Sequence, residues 1–324
     1  MASALLLFAV LFLGTVDSNN LKRRKNGKDQ WNECPNIEGF FSYDSNSPCG
    51  PQHWHKRYPL CGADKQSPIN IDTDKTRCED DGRVHYRHSG EVGGIFENNG
   101  RAPNFVVKKD HLRNILILGD DEDNDNGDNT GYVFKELHFH IGASGSSYGS
   151  EHTVNNQGYK GEIHMVHEKL KGGNNKKDTD DKKDKDDKNE NGGQQDTLVL
   201  GRFFNVIEEC CSYADKLISR YITKIPNYMD ETEAHVKPSR MLPRDGKFYT
   251  YVGSSTTPVC KLDVLWTLFK TPTTVCETNF KVLMDLETWE AGNPPRSKFG
   301  NNRPIQRFDV GDVRTNFGKR CRDN

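Results

Sequence analysis

Five of the chain's eleven histidines fall within residues 135–169, "KELHFHIGASGSSYGSEHTVNNQGYKGEIHMVHEK". His138 and His140 flank Phe139 in a run that reads as a β-strand. Side chains alternate along a strand, so both imidazoles share a face with Glu136, and Phe139 takes the other. Downstream, "GEIHMVH" places Glu162, His164 and Val166 on one face of a second strand. Two histidines from one strand and a third from its neighbour can converge on one tetrahedral ion. Three neutral imidazoles with an open fourth position form a catalytic zinc arrangement, whereas a structural site takes four protein ligands. Glu136 and Glu162 each precede a candidate ligand by two residues, where a carboxylate can accept the second ring N–H of a metal-bound histidine. An isolated H-x-H pair more often marks exposed or hydrogen-bonded histidines. The pair, the third histidine and the matched glutamates together favour the metal.

Elements able to position such a set are legible around it. "NFVVK" from 104, "NILILG" from 114, "YVFKELHFHI" from 132, "GEIHMVH" from 161 and "TLVLGRFFNV" from 197 are β-rich runs separated by Gly, Asn and Asp. The pattern predicts many strands joined by turns. Helical periodicity is confined to 207–222 and 277–288. The chain therefore reads as mainly β, of α+β type, with few short helices.

Composition bounds the rest. The apolar run Ala4–Leu13 is too short for a membrane span of ~20 residues, and with Val16-Asp17-Ser18 it predicts a cleaved secretory signal at 1–18. Residues 19–32 read as a basic flexible tail. The remaining length suits one large domain or two small ones. A net charge of −2 points to neither nucleic acid nor a membrane surface, and the polar "GKRCRDN" end does not read as a GPI signal, so no membrane anchor is expected. Nine cysteines in a secreted chain predict disulfides, with an odd thiol left over.

Two segments are compositionally biased. "GDDEDNDNGDN" at 119–129 carries six acids and no cation. It fails the EF-hand template, because Gly127 falls one place late and Tyr132 stands where a glutamate is needed. Weak, diffuse attraction of Ca²⁺ is the most it implies. Residues 172–196 hold eight acids, six lysines and no apolar residue, a composition that predicts a disordered, protruding insert.

"QSPINI" (66–71), "NNG" (98–100), "HFH", "GSEHTV" (149–154), "EIHMVH", "VLG" (199–201), "YTYVGSSTTP" (249–258) and "NNRPIQ" (301–306) occur in the order seen in alpha-class carbonic anhydrases. The chain resembles that family from about Tyr43 to Gln306. With Cys34, Cys49 and the Asn/Asp-rich insert, it is most similar to the secreted nacrein-like shell matrix proteins of molluscs.

The resemblance implies a single alpha-carbonic-anhydrase domain over 33–318, interrupted by 172–196 and followed by a polar tail at 319–324. It implies a large twisted, mostly antiparallel sheet with short peripheral helices. It also implies Zn²⁺ on His138, His140 and His164, and reversible hydration of CO2 to bicarbonate and a proton. Thr256 would accept a hydrogen bond from the attacking oxygen and donate its own proton to Glu151. Thr257 would position bicarbonate, and Val166, Val199 and Trp266 would form the apolar wall for CO2. A Cys61–Cys260 disulfide is implied as well. Two positions depart from the family pattern. Arg101 stands where fast members carry a proton-shuttling histidine, and a guanidinium stays protonated at neutral pH. Ser255 replaces a leucine of the pocket wall, which predicts weaker sulfonamide binding. The expected setting is extracellular, with inorganic carbon supplied to calcium carbonate or shell matrix components. The alternative is a catalytically slow matrix protein that binds Ca²⁺ or mineral through its charged segments and regulates crystal growth.

Overall fold

A computed structural model describes residues 33–37, 39–78, 82–87, 90–108, 115–118, 131–170, 195–209, 212–290, 292–307, 313–318 and 321. The expected signal at 1–18, the tail at 19–32, the acidic segment 119–129 and nearly all of 172–196 lie outside them, as do Cys210 and Cys211.

Fourteen strands are described: β1 (Asn70–Ile71), β2 (Arg77–Cys78), β3 (Val84–Tyr86), β4 (Val92–Asn98), β5 (Pro103–Val107), β6 (Ile115–Leu118), β7 (Tyr132–Ile141), β8 (Thr153–Val154), β9 (Gly161–Lys169), β10 (Thr197–Ile207), β11 (Glu231–Val236), β12 (Phe248–Ser254), β13 (Leu262–Cys276) and β14 (Arg314–Thr315). Twelve form one sheet in the order β11-β4-β5-β7-β9-β10-β13-β12-β14-β2, with β6 on β7 and β3 on β6. The sheet is mixed and does not close. Most neighbours run antiparallel, while β10–β13 and β14–β2 are parallel. β1 and β8 form a separate parallel pair.

The strands that carry the histidines, β7 and β9, lie side by side within this sheet, and alternation gives it two different faces. Leu137, Phe139, Ile141, Ile163, Met165, Leu198 and Leu200 are buried on one face, in the cluster that includes Ala214, Leu217 and Ile218 of α2 (Tyr213–Arg220). Fully burying each large apolar side chain of this kind contributes about 1.5–3 kcal/mol. The opposite face carries the histidines and a second cluster of Val199, Trp266, Tyr251 and Leu268.

The expected helix at 207–222 starts later than its periodicity indicates. Phe204–Ile207 continue the ladder with Thr273–Cys276 of β13. Ser212 then caps α2, accepting the Asp215 amide at 3.0 Å and donating to Thr274 O at 2.6 Å. α3 (Glu277–Asp285) matches the expected 277–288. Another short helix, α1 (Trp54–Arg57), buries Trp54 against Phe41 and Tyr43.

Disulfides join Cys34–Cys49, Cys61–Cys260 and Cys78–Cys321. The second is the pairing implied by the family resemblance. The third fastens Cys321, inside the stretch expected as a tail, to β2.

Candidate metal centre

Strand register brings the three histidines together. His138 of β7 lies directly opposite His164 of β9, and His140 lies opposite Glu162. Residues paired across neighbouring strands share a face, so all three rings project from one side of the sheet. Their ring centroids are 5.0 Å (138–140), 5.2 Å (138–164) and 4.4 Å (140–164) apart. One ligand atom from each lies within 4.8 Å of the others.

Each histidine commits one ring nitrogen to an oxygen and keeps the other. His140 Nδ1–H donates to the Asn301 carbonyl at 2.7 Å. His164 Nε2–H donates to Glu162 Oε1 at 2.8 Å. His138 Nδ1 lies 3.4 Å from Glu136 Oε1. The nitrogens left over are Nε2 of His138, Nε2 of His140 and Nδ1 of His164. His140 Nε2 is buried and has no hydrogen-bond partner, a costly state for a polar atom unless something binds it. Burial and the neighbouring imidazoles hold His140 well below the usual histidine range. Burial also pushes His164 down to about 4, opposed by Glu162. Neutral rings with bare lone pairs are the form that ligates a metal. Three such nitrogens, each oriented by an oxygen on its far side, fit Zn²⁺ with a fourth corner for solvent.

Glu162 organises the layer behind the ligands. Besides His164 it accepts the Glu151 and His152 amides at 2.9 and 2.8 Å and His152 Nδ1–H at 2.8 Å. Burial alone would raise its pKa, but His152 and His164 hold it well below the usual carboxylate range. His152, Glu162 and His164 are also close enough to resemble a metal cluster. Their facing atoms are spent on one another, so they support the first site rather than form a second.

Thr256 and Glu151 are brought to the same place. Glu151 is fully buried, and its carboxylate lies 3.5 Å from His140 Nδ1 and 3.9 Å from His164 Nδ1. Burial pushes it well above the ordinary carboxylate range, against the Arg303 amide, which donates at 2.7 Å, and the Thr256 hydroxyl. Thr256 is itself buried. Thr257 follows it, its carbonyl accepting the Cys260 amide at 2.7 Å, so the Cys61–Cys260 bond braces this turn.

The apolar residues line up beside the histidines. Val166, Val199 and Trp266 are direct cross-strand partners on β9, β10 and β13. Val166 is two residues past His164 and shares its face. The Trp266 ring lies 4.8 Å from that of His164. Next along the sheet from His164 is Gly201, where a Cβ would collide with Leu268 and approach Glu162 Oε1 at 3.1 Å.

Arg101 lies at the other departure from the family pattern. It follows Gly100, whose φ of +74° and closeness to Trp289 exclude a side chain. Its guanidinium stacks 4.0 Å from the Trp289 ring and 4.9 Å from Phe41, and donates to Gly39 O at 2.9 Å. Ser255 Oγ donates to Thr257 O at 3.2 Å, so its hydroxyl is tied into the turn.

Several supporting residues escaped the sequence reading. His152 Nε2 meets Tyr251 OH at 2.6 Å, and Tyr251 OH meets Ser67 Oγ at 2.7 Å. Arg303 donates to Gln66 Oε1, Ser67 O and Cys61 O. All sit inside or beside the quoted motifs, but their partners are 99 to 242 residues away in sequence, so only their presence in those motifs could have drawn attention to them.

The family described as eukaryotic-type carbonic anhydrase matches residues 49–317. Among curated relatives, carbonic anhydrase 3 of Rattus norvegicus is 31% identical over 273 residues, 83% of this chain and 95% of the rat protein. The Mus musculus protein of that name is 30% identical over the same shares. The Homo sapiens one is 28% identical over 271 residues, again 83% of this chain and 95% of the relative.

Proposed function

This chain belongs to the eukaryotic-type carbonic anhydrase family, and from that premise we propose that it hydrates CO2 reversibly to bicarbonate and a proton, with Zn²⁺ held by His138, His140 and His164. The observation that carries the reading is the convergence of three imidazole nitrogens whose opposite nitrogens are already engaged by, or close to, oxygens.

Zinc bound there would make hydroxide available near neutral pH, the known property of this class of site. The chain's own residues supply the rest. Glu162, Asn301 and Glu136 hold the ligand rings. Thr256 donates its hydroxyl proton to Glu151 and offers a lone pair to the attacking oxygen, selecting one orientation for attack. A dication nearby favours the ionised form of Glu151, which burial disfavours. Val166, Val199 and Trp266 receive CO2, which has almost no polar handle, and Thr257 positions bicarbonate. Arg101 stays protonated at neutral pH and cannot take up a further proton, so proton release is the slow step at low buffer concentration.

The test is zinc content of the purified protein together with CO2 hydration before and after chelation. One zinc per chain and activity that chelation abolishes and zinc restores are expected. Stoichiometric zinc without hydration would overturn the reading.

The proposal extends to secretion and to supplying inorganic carbon for calcium carbonate deposition, as in nacrein-like proteins. Its supports are the signal-like N-terminus, the disulfides that suit an oxidising compartment, and the charged segments 119–129 and 172–196. Deleting 172–196 separates this from the matrix alternative. Intact hydration with normal crystal growth favours the enzyme alone, and altered growth or Ca²⁺ binding assigns the insert a mineral role.

A further inference from the structure

The row of side chains that contains His138 and His164 continues past them. Glu97 of β4 pairs with Asn104 of β5, Asn104 pairs with His138, and His138 pairs with His164. Directly paired residues share a face, and adjacent strands are about 4.8 Å apart. Glu97 therefore stands about 10 Å from His138 on the metal-binding face, a distance that about two hydrogen-bonded waters span. Glu97 is half-buried. Its Oε1 accepts Asn104 Nδ2–H at 3.4 Å and Asn99 Nδ2–H at 3.5 Å. Asn104 is only 8% exposed, and its Oδ1 is buried with no hydrogen-bond partner among the described residues. A buried, unpartnered acceptor on the residue between Glu97 and His138 is a place where a water can dock.

Resting on the hydration reaction proposed above, we propose that Glu97 is the proton-relay residue of this site, taking up the proton that hydration releases and passing it to a buffer base. An O–H bond of water breaks as one forms on a Glu97 carboxylate oxygen. That bond then breaks as the proton moves to the buffer base, and no electron transfer is involved. Burial raises Glu97 above the ordinary carboxylate range, with Glu136 and Glu231 adding to the rise and Asn104 and Asn99 opposing it. A carboxylate shifted toward neutral pH is a better relay than an unperturbed one. The charged groups facing it are Glu231 on β11, Glu136 on β7 and Arg101 in the loop after β4. Arg101, packed between Phe41 and Trp289, keeps its proton and leaves the task to Glu97.

The test uses the zinc-loaded full chain and stopped-flow CO2 hydration in weak buffer, with imidazole titrated in. Glu97→Gln keeps the shape and the amide contacts but cannot ionise. Its kcat at low buffer should fall about tenfold while kcat/KM for CO2 stays within about twofold. Imidazole should bring wild type and variant to one plateau. Glu97→Asp should retain most of kcat, and the ionisation of this carboxylate should vanish from the kcat–pH profile of Glu97→Gln only. An unchanged kcat in Glu97→Gln would overturn the proposal. So would a parallel fall in kcat and kcat/KM that imidazole does not repair. If wild type itself hydrates no CO2, the parent reading falls and takes this one with it; if wild type is active and Glu97→Gln matches it, Glu97 alone is rejected.

Discussion

Asn301 holds His140 by its backbone and the strand around His140 by its side chain. Its carbonyl accepts the His140 Nδ1–H at 2.7 Å, its Oδ1 accepts the Ile141 amide at 2.7 Å, and its Nδ2 donates to Phe139 O and Arg101 O at 2.9 and 3.0 Å. Asn301→Ala keeps the carbonyl but strips the other three bonds from buried backbone groups. We expect zinc affinity to fall about 10- to 100-fold and stability to drop by about 3 kcal/mol. Competition with a chromophoric chelator and urea unfolding of the metal-free protein measure the two separately.

Thr256 and Glu151 should act as a unit. Thr256→Ala and Glu151→Gln should each lower kcat/KM for CO2 by about 100-fold, and the double variant should lose little more, because one hydrogen-bonded pair is removed in every case. Independent, multiplying losses in stopped-flow hydration would count against the pairing.

Turnover of the wild-type protein at low buffer should rise about three- to tenfold as imidazole is added. Arg101→His should raise the starting rate and flatten the response. A rate indifferent to imidazole would mean that proton release is not slow.

The Cys61–Cys260 bond closes a separation of 199 residues. Replacing both cysteines by serine should cost about 3–5 kcal/mol in denaturant unfolding. It should also lower hydration more than zinc affinity, since the turn it braces carries Thr256 and Thr257 and no metal ligand.

His167 gives the fold an acid sensitivity separate from the metal. Its Nδ1–H donates to Met165 O at 3.0 Å, which leaves Nε2 of the neutral ring to accept the Tyr86 hydroxyl at 2.6 Å. Burial pushes it down to about 3, whereas an unfolded histidine titrates near about 6.5. The unfolded chain therefore binds the extra proton between those values. The stabilisation is complete above pH ~6.5 and is lost as pH falls toward ~3, by roughly 5 kcal/mol in all. Chemical denaturation of the metal-free protein against pH should show that slope, and His167→Gln should reduce it.

The strand runs around His138, His140 and His164, the shared face of each pair, and the matched glutamates were readable because a period of two is a local property of the chain. Sequence order was also enough to expect the family fold, since its motifs recur in register. What the chain's order alone left open was whatever depends on which strand lies beside which. The pairing of β7 with β9 sets His138 against His164 and completes the site. The β4–β5–β7 register carries Glu97 onto the same face. Asn301 and Arg303 reach back more than 150 residues to support His140 and Glu151. The Cys34–Cys49 and Cys78–Cys321 bonds likewise followed from proximity rather than spacing. The physical reason is that alternation fixes a side chain's direction within its own strand, while convergence on an ion, a proton path or a disulfide requires distances between strands, and those are set only when the whole sheet assembles.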